Sequence, residues 1–148
     1  MGESGTDEVA ASEPLLVVDG ANVVGSVPDG WWRDRRAAAG RLRDALAAVA
    51  EHGLAQAEDG GAPGWARTGP LDVVLVVEGA ARGVDGLPQV RVAAAPGSGD
   101  DLVVDLVAAA KAAHPQRHCL VVTADRDLRD RVQALGAEVT GPRSVRRA

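Results

Sequence analysis

Isoleucine, phenylalanine and tyrosine are absent from this 148-residue chain, and cysteine, methionine, asparagine and lysine occur once each. A core with none of the first three must be assembled from valine, leucine and alanine. The lone cysteine, Cys119, excludes an internal disulfide and a cysteine-built zinc site, and a cytoplasmic location is the expectation. No uninterrupted apolar run reaches the ~18 residues of a membrane-spanning helix, so no membrane association is expected. Residues 1–13, MGESGTDEVAASE, hold acids and no base, so they read as a flexible acidic tail and not as a secretory leader. Their opening fits the bare myristoylation pattern, but no basic cluster follows to supply a second anchor. Fifteen arginines stand against Lys111, amid many alanines, valines and glycines, the bias of a GC-rich, bacterial coding sequence. The net charge of −5 excludes nucleic-acid binding by bulk positive potential. A polyanionic partner needs a local basic patch or bound cations.

What is present is 46% hydrophobic and 25% charged, the make-up of one globular domain. Leu15–Val18 is apolar without alternation, as in a central parallel strand covered on both faces, and it ends at Asp19-Gly20. A helix is expected over 33–51, with Leu42, Leu46 and Val49 on one stripe and Gly53 as its stop. Residues 53–70 hold five glycines and two prolines and show no periodicity, so they read as a lid or a disordered loop. Strands are expected over 71–77, ending at Glu78, and, at a sheet edge, over 90–93. Ser98 introduces a helix over 100–113, whose core stripe is read as Leu102, Leu106 and Ala109, with Val103, Val107 and Ala110 beside them. A strand over 118–123, a helix over 126–135 stopped by Gly136, and a short strand over 138–140 complete residues 14–142. Arg143, Arg146 and Arg147 belong to a basic tail, 143–148. Strands alternating with helices define an α/β domain with a mainly parallel sheet between helical layers.

Right-handed crossovers place every strand's C-terminal end on one edge, where ligands of open α/β sheets bind. That edge collects acids: Asp19, Glu78, Asp100 and Asp101 at a helix start, and Asp125 with Asp127 after Thr123. Asp105, one turn beyond Asp101, shares its face. Like charges so gathered raise one another's pKa, and a divalent cation relieves the repulsion. Carboxylate oxygens without a nearby His or Cys suit Mg²⁺ or Mn²⁺, and the chemistry such a site supports is metal-assisted attack of water on a phosphodiester. Each acid taken singly also serves as a turn, a helix cap or a dipole partner. The weight lies in their co-location.

Trp31 and Trp32, followed by Arg33, Arg35 and Arg36, offer stacking surfaces and phosphate contacts to RNA, or else a staple at a helix start. Trp65 is either a lid anchor or without a role. Ser98 and Ser12 lack the His/Asp context of a nucleophile, and Gly97-Ser98-Gly99 lacks the lysine of a phosphate-binding loop. His52, His114 and His118 lie at element ends and read as surface or packing residues. The Asp125–Asp127 spacing also occurs in Toprim-type and phosphatase domains, but those place different acids after their first strand.

The strings VVDGANVVG, GSGDDLVVDLV and VVTADRDLRDRVQALGAEV, in that order, resemble the NYN-domain ribonucleases of the PIN-like fold, in particular their YacP-like branch. The resemblance spans about residues 14–142. It implies a three-layer α/β/α domain and a metal-dependent endoribonuclease. Its RNA is expected to be single-stranded, because unpaired bases can stack on Trp31 and Trp32, and the ribosome is a further candidate partner. By motif position, the metal-holding acids of that family fall on Asp19, on Asp101 or Asp100, and on Asp125 with Asp127. Asn22 matches the asparagine that positions water or phosphate, and Thr123 the hydroxyl residue before the last acids. Where the family often carries Asp after the second strand, this chain has Glu78. A non-catalytic RNA- or ribosome-binding module on the same scaffold is the alternative.

Overall fold

In the computed structural model, residues 13–26, 30–54 and 62–146 are described. Five strands, β1 (Leu15–Asp19), β2 (Asp72–Val77), β3 (Val90–Ala94), β4 (Cys119–Val122) and β5 (Glu138–Thr140), form one sheet in the order β3-β2-β1-β4-β5. Every pairing is parallel. Side chains alternate along a strand, so both faces of a central strand are apolar only if both are covered. That is the case in β1. Leu16 and Val18 enter one core with Val73, Leu75, Leu120 and Val122, whereas Leu15 and Val17 enter a second with Val74, Val76 and Val121.

The first core is closed by the helices α1 (Gly20–Gly25), α2 (Arg35–His52) and α5 (Arg143–Arg146), which contribute Val23, Leu42, Leu46, Val49 and Val145. The second is closed by α3 (Gly99–Ala113) and α4 (Arg126–Gln133), through Val103, Val107, Leu128 and Val132. The result is a three-layer α/β/α, PIN-like architecture. Asp34 caps α2 by accepting from the Ala37 N–H at 2.9 Å, and Gly53 ends it with φ at +83°, a conformation glycine adopts without a Cβ penalty.

Three features differ from the sequence expectation. Helix α1 directly follows Asp19, where the sequence pattern marks no element. Its six residues are started by Asp19, whose side chain accepts from the Asn22 N–H. Helix α3 buries Gly99, Val103 and Val107, while Leu102 and Leu106 are half-buried and Ala109 is exposed. Its core stripe is therefore one residue further on than the Leu102-Leu106-Ala109 reading, which turns Asp101 and Asp105 to solvent. Finally, Arg143–Arg146 is a helix and not a tail: Val145 is 0% exposed against α2.

The 53–70 connection is described only at its ends, since residues 55–61 lie outside the described set, as do 1–12 of the acidic tail. Trp65 stacks on His118 at 4.6 Å between centroids and donates through Nε1 to Glu138 at 3.2 Å. His118 and Glu138 mark the starts of β4 and β5, so Trp65 packs at the edge opposite the strand ends that carry the acids. It is not an anchor for a lid over them.

Candidate active site

The chain leaves β1 towards β2 and β3 on one side and returns to β4 on the other. The topological switch point thus lies between the C-terminal ends of β1 and β4, where an open α/β sheet leaves a crevice. Asp19 ends β1 there, with only 5% of its surface exposed. Thr123, fully buried at the end of β4, donates its hydroxyl to Asp19 Oδ2 at 2.9 Å and accepts from the Asp125 N–H at 3.1 Å. Asn22 donates its backbone N–H to Asp19 Oδ1 at 3.4 Å, and its side-chain Oδ1 accepts from the Ala124 N–H at 2.9 Å. A hydrogen-bonded bridge therefore fastens β1 to the loop beyond β4. In it the Asn22 carbonyl holds protein backbone.

Burial pushes the Asp19 carboxyl up to about 6. The bonds from Thr123 and Asn22 oppose this, and the charges of Asp100 and Glu78 add to it. The Asp100 carboxyl is also raised, first by burial, then by Asp125 and Glu78, with Arg131 pulling the other way. Asp19, Glu78, Asp100 and Asp125 are thus linked by electrostatic interactions, delivered by the ends of β1 and β2 and the starts of α3 and α4. Local structure fixes each. Asp125 Oδ1 caps α4 through the Leu128 N–H at 3.1 Å. Ser98 caps α3 by accepting from the Asp100 N–H at 3.1 Å, and Glu78 Oε2 accepts a short bond from the Gly99 N–H. Among the described residues, no three Asp, Glu, His or Cys side chains are grouped closely enough to hold a metal ion.

The other acids face solvent. Asp101 is on the outer side of α3, its side chain 71% exposed and paired with Arg131 at 3.1 Å. Asp105 and Asp127 are exposed. Of the aromatic-basic cluster, Trp32 is 55% exposed with the Arg33 guanidinium 5.8 Å from its ring centre. The Trp31 side chain lies outside the described set. Arg36 donates to the Gly83 carbonyl at 3.1 Å and Arg43 to that of Asp85 at 2.8 Å, tying α2 to the loop after β2. Arg36 is thereby engaged with protein backbone.

Beside the acids is a groove of about 430 Å³ lined by Gly20, Ala21, Val24, Arg35, Ala39, Val77, Glu78, Gly79, Ala81 and Gly97. Nothing in the sequence marks it, because its alanines and valines are indistinguishable from core residues.

The fold class is α/β with PIN-like layering. Two crystal structures of Rae1 (YacP) from Bacillus subtilis share it. One has a TM-score of 0.62 at 20% identity over 90% of this chain and 71% of that one. The other, of a tryptophan-to-leucine mutant, has a TM-score of 0.63 at 19% identity over 90% of this chain and 73% of that one. The fold is therefore YacP-like. No protein-family model and no curated protein sequence matches the chain. No helix among the described residues is long and apolar enough to cross a membrane.

Proposed function

We propose that the chain is a cytoplasmic, metal-dependent endoribonuclease of the NYN type that hydrolyses single-stranded RNA, free or ribosome-bound. The observation that carries this reading is Asp19: a buried carboxylate at the switch point of the sheet, raised to about 6 and repelled by Asp100 and Glu78. Burying an acid among acids is unfavourable unless a cation binds there. All the candidate donors are carboxylate oxygens, which suits Mg²⁺ or Mn²⁺. Mg²⁺ takes one or two carboxylates and completes its shell with water, so a preformed three-carboxylate cage is not required. Asp19 and one of Asp100 and Asp125 would hold the ion directly and the other through its water shell, with Glu78 and Thr123 positioning them. When bound, the ion lowers the pKa of a coordinated water and neutralises charge on the phosphate. Asp101, Asp105 and Asp127 are exposed, and Asp101 and Asp127 match family motif positions. Trp32 and Arg33 offer an unpaired base a stacking face and its phosphate a cation.

The test is cleavage of a labelled single-stranded RNA in Mn²⁺ with and without EDTA, by the wild type and by Asp19→Asn and Asp125→Asn. The reading expects EDTA-sensitive cleavage that both substitutions abolish. Undiminished cleavage by both purified variants removes the assignment. The lack of a grouped ligand triad among the described residues favours a second reading, an RNA- or ribosome-binding module without turnover. RNA binding with no EDTA-sensitive cleavage selects it.

A further inference from the structure

The groove beside Asp19 is walled by Ala21, Val24, Ala39, Val77 and Ala81, and the charged residues on its lining are Glu78 and Arg35. Its volume, about 430 Å³, falls in the ~300–1,000 Å³ range of small-molecule sites. Its walls suit a ligand with flat apolar faces, and its two charged groups suit one with a polar rim. It is continuous with the acidic edge, since Gly20 follows Asp19 and Glu78 is among the acids that repel it.

We infer that this groove holds one unpaired guanine of the RNA, next to the phosphate presented to Asp19. The inference rests on the ribonuclease reading for the identity of the polymer. An ionised carboxylate only accepts hydrogen bonds and a guanidinium only donates them. Glu78 therefore selects a base edge carrying adjacent N–H donors, and Arg35 one carrying acceptors. Guanine alone among the four bases shows two neighbouring donors, N1–H and N2–H, on its Watson–Crick edge, with O6 and N7 as the acceptors that arginine favours. Adenine, cytosine and uracil each put an acceptor against the carboxylate. Glu78 keeps acceptor capacity for this task, because a carboxylate has about four lone-pair sites and the Gly99 N–H takes one. A base that enters the groove has left its stack, so unpaired RNA is the source that costs least.

The test separates base recognition from cleavage. Binding of GMP, AMP, CMP and UMP to the whole protein is measured by calorimetry in EDTA. All four carry the same phosphate, so differences report the base. GMP is expected to bind about ten-fold tighter than the others or better, the discrimination of one bidentate pair. Ala21→Leu, an exposed position whose added carbons fill the groove, is expected to remove the preference, and so is Glu78→Gln. Equal affinity for the four nucleotides, or a GMP preference that survives both substitutions, overturns the inference. A random single-stranded RNA pool retained by the protein in EDTA should be enriched in unpaired G. GMP preference without that enrichment assigns the groove to free nucleotide and overturns the RNA source. Guanine selectivity with no cleavage in Mn²⁺ refutes the nuclease reading alone, and cleavage with no base preference refutes the groove alone.

Discussion

The substitution Asp19→Asn isolates the cost of keeping a charge buried at the switch point. The Asp19 carboxyl is pushed up to about 6 from an ordinary 3.8. A carboxyl with a raised pKa in the folded state binds a proton on folding. Its stabilising contribution is complete below pH 3.8 and is lost as the pH rises through 6. Across that window the loss amounts to about 3 kcal/mol. The amide of the variant has no charge to bury. The Asn22 N–H and the Thr123 hydroxyl donate to different oxygens of Asp19, and the amide places its carbonyl at only one of the two positions, which forfeits roughly 1 kcal/mol of hydrogen bonding. The metal-free variant should therefore be more stable than the wild type by roughly 2 kcal/mol at pH 8, and less stable by roughly 1 kcal/mol near pH 3.5. Urea unfolding in EDTA at both pH values, extrapolated linearly, measures the two differences. A difference that does not change with pH refutes the reasoning, because the charge on Asp19 then costs the fold nothing. With Mg²⁺ in excess the wild type should gain stability at pH 8 by ligand linkage and the variant should not.

Asp100→Asn should abolish Mn²⁺-dependent RNA cleavage and Asp101→Asn should retain it, since Asp101 is paired outward with Arg131; an initial-rate assay on both variants decides, and loss confined to Asp101→Asn would transfer the ligand role to it. Gly20→Ala should cost roughly 1–3 kcal/mol, because the added Cβ collides with the Val76 carbonyl oxygen at the start of α1. A calorimetric melting point unchanged from wild type would show that α1 can move away from β2 freely. Val145→Ala should cost roughly 2 kcal/mol for two methylene equivalents removed from a fully buried side chain. A chemical-denaturation midpoint equal to that of the wild type would place α5 outside the cooperative unit.

What the sequence could reveal followed from how many separate constraints acted on each segment. Strands β1, β2 and β4 were legible because covering both faces makes every position apolar, and runs such as LLVV and LVV have few other uses in a soluble chain. Helix α2 carried Arg41, Arg43 and Asp44 around Leu42 and only alanines between Leu46 and Val49, so its large apolar residues pointed to one face. Helix α3 did not. Leu102 and Val103, then Leu106 and Val107, are adjacent apolar pairs, and either member of each could have been the buried one. The choice is made outside the helix. A Cβ at Gly99 would stand 3.0 Å from Glu78 Oε2 and 3.6 Å from Val76, so this glycine permits the close approach to the end of β2 that brings Val103 and Val107 inward at four-residue steps. The same rotation puts Asp100 beside the buried row and Asp101 in solvent. Which of Asp100 and Asp101 is turned from solvent is therefore decided by a contact between residues 78 and 99, a separation across which hydrophobic patterning carries no information. The Trp65 stack on His118 is hidden for the same reason. The acids legible on one edge thus acquire their different exposures only once a glycine has set the azimuth of the helix that carries Asp100 and Asp101.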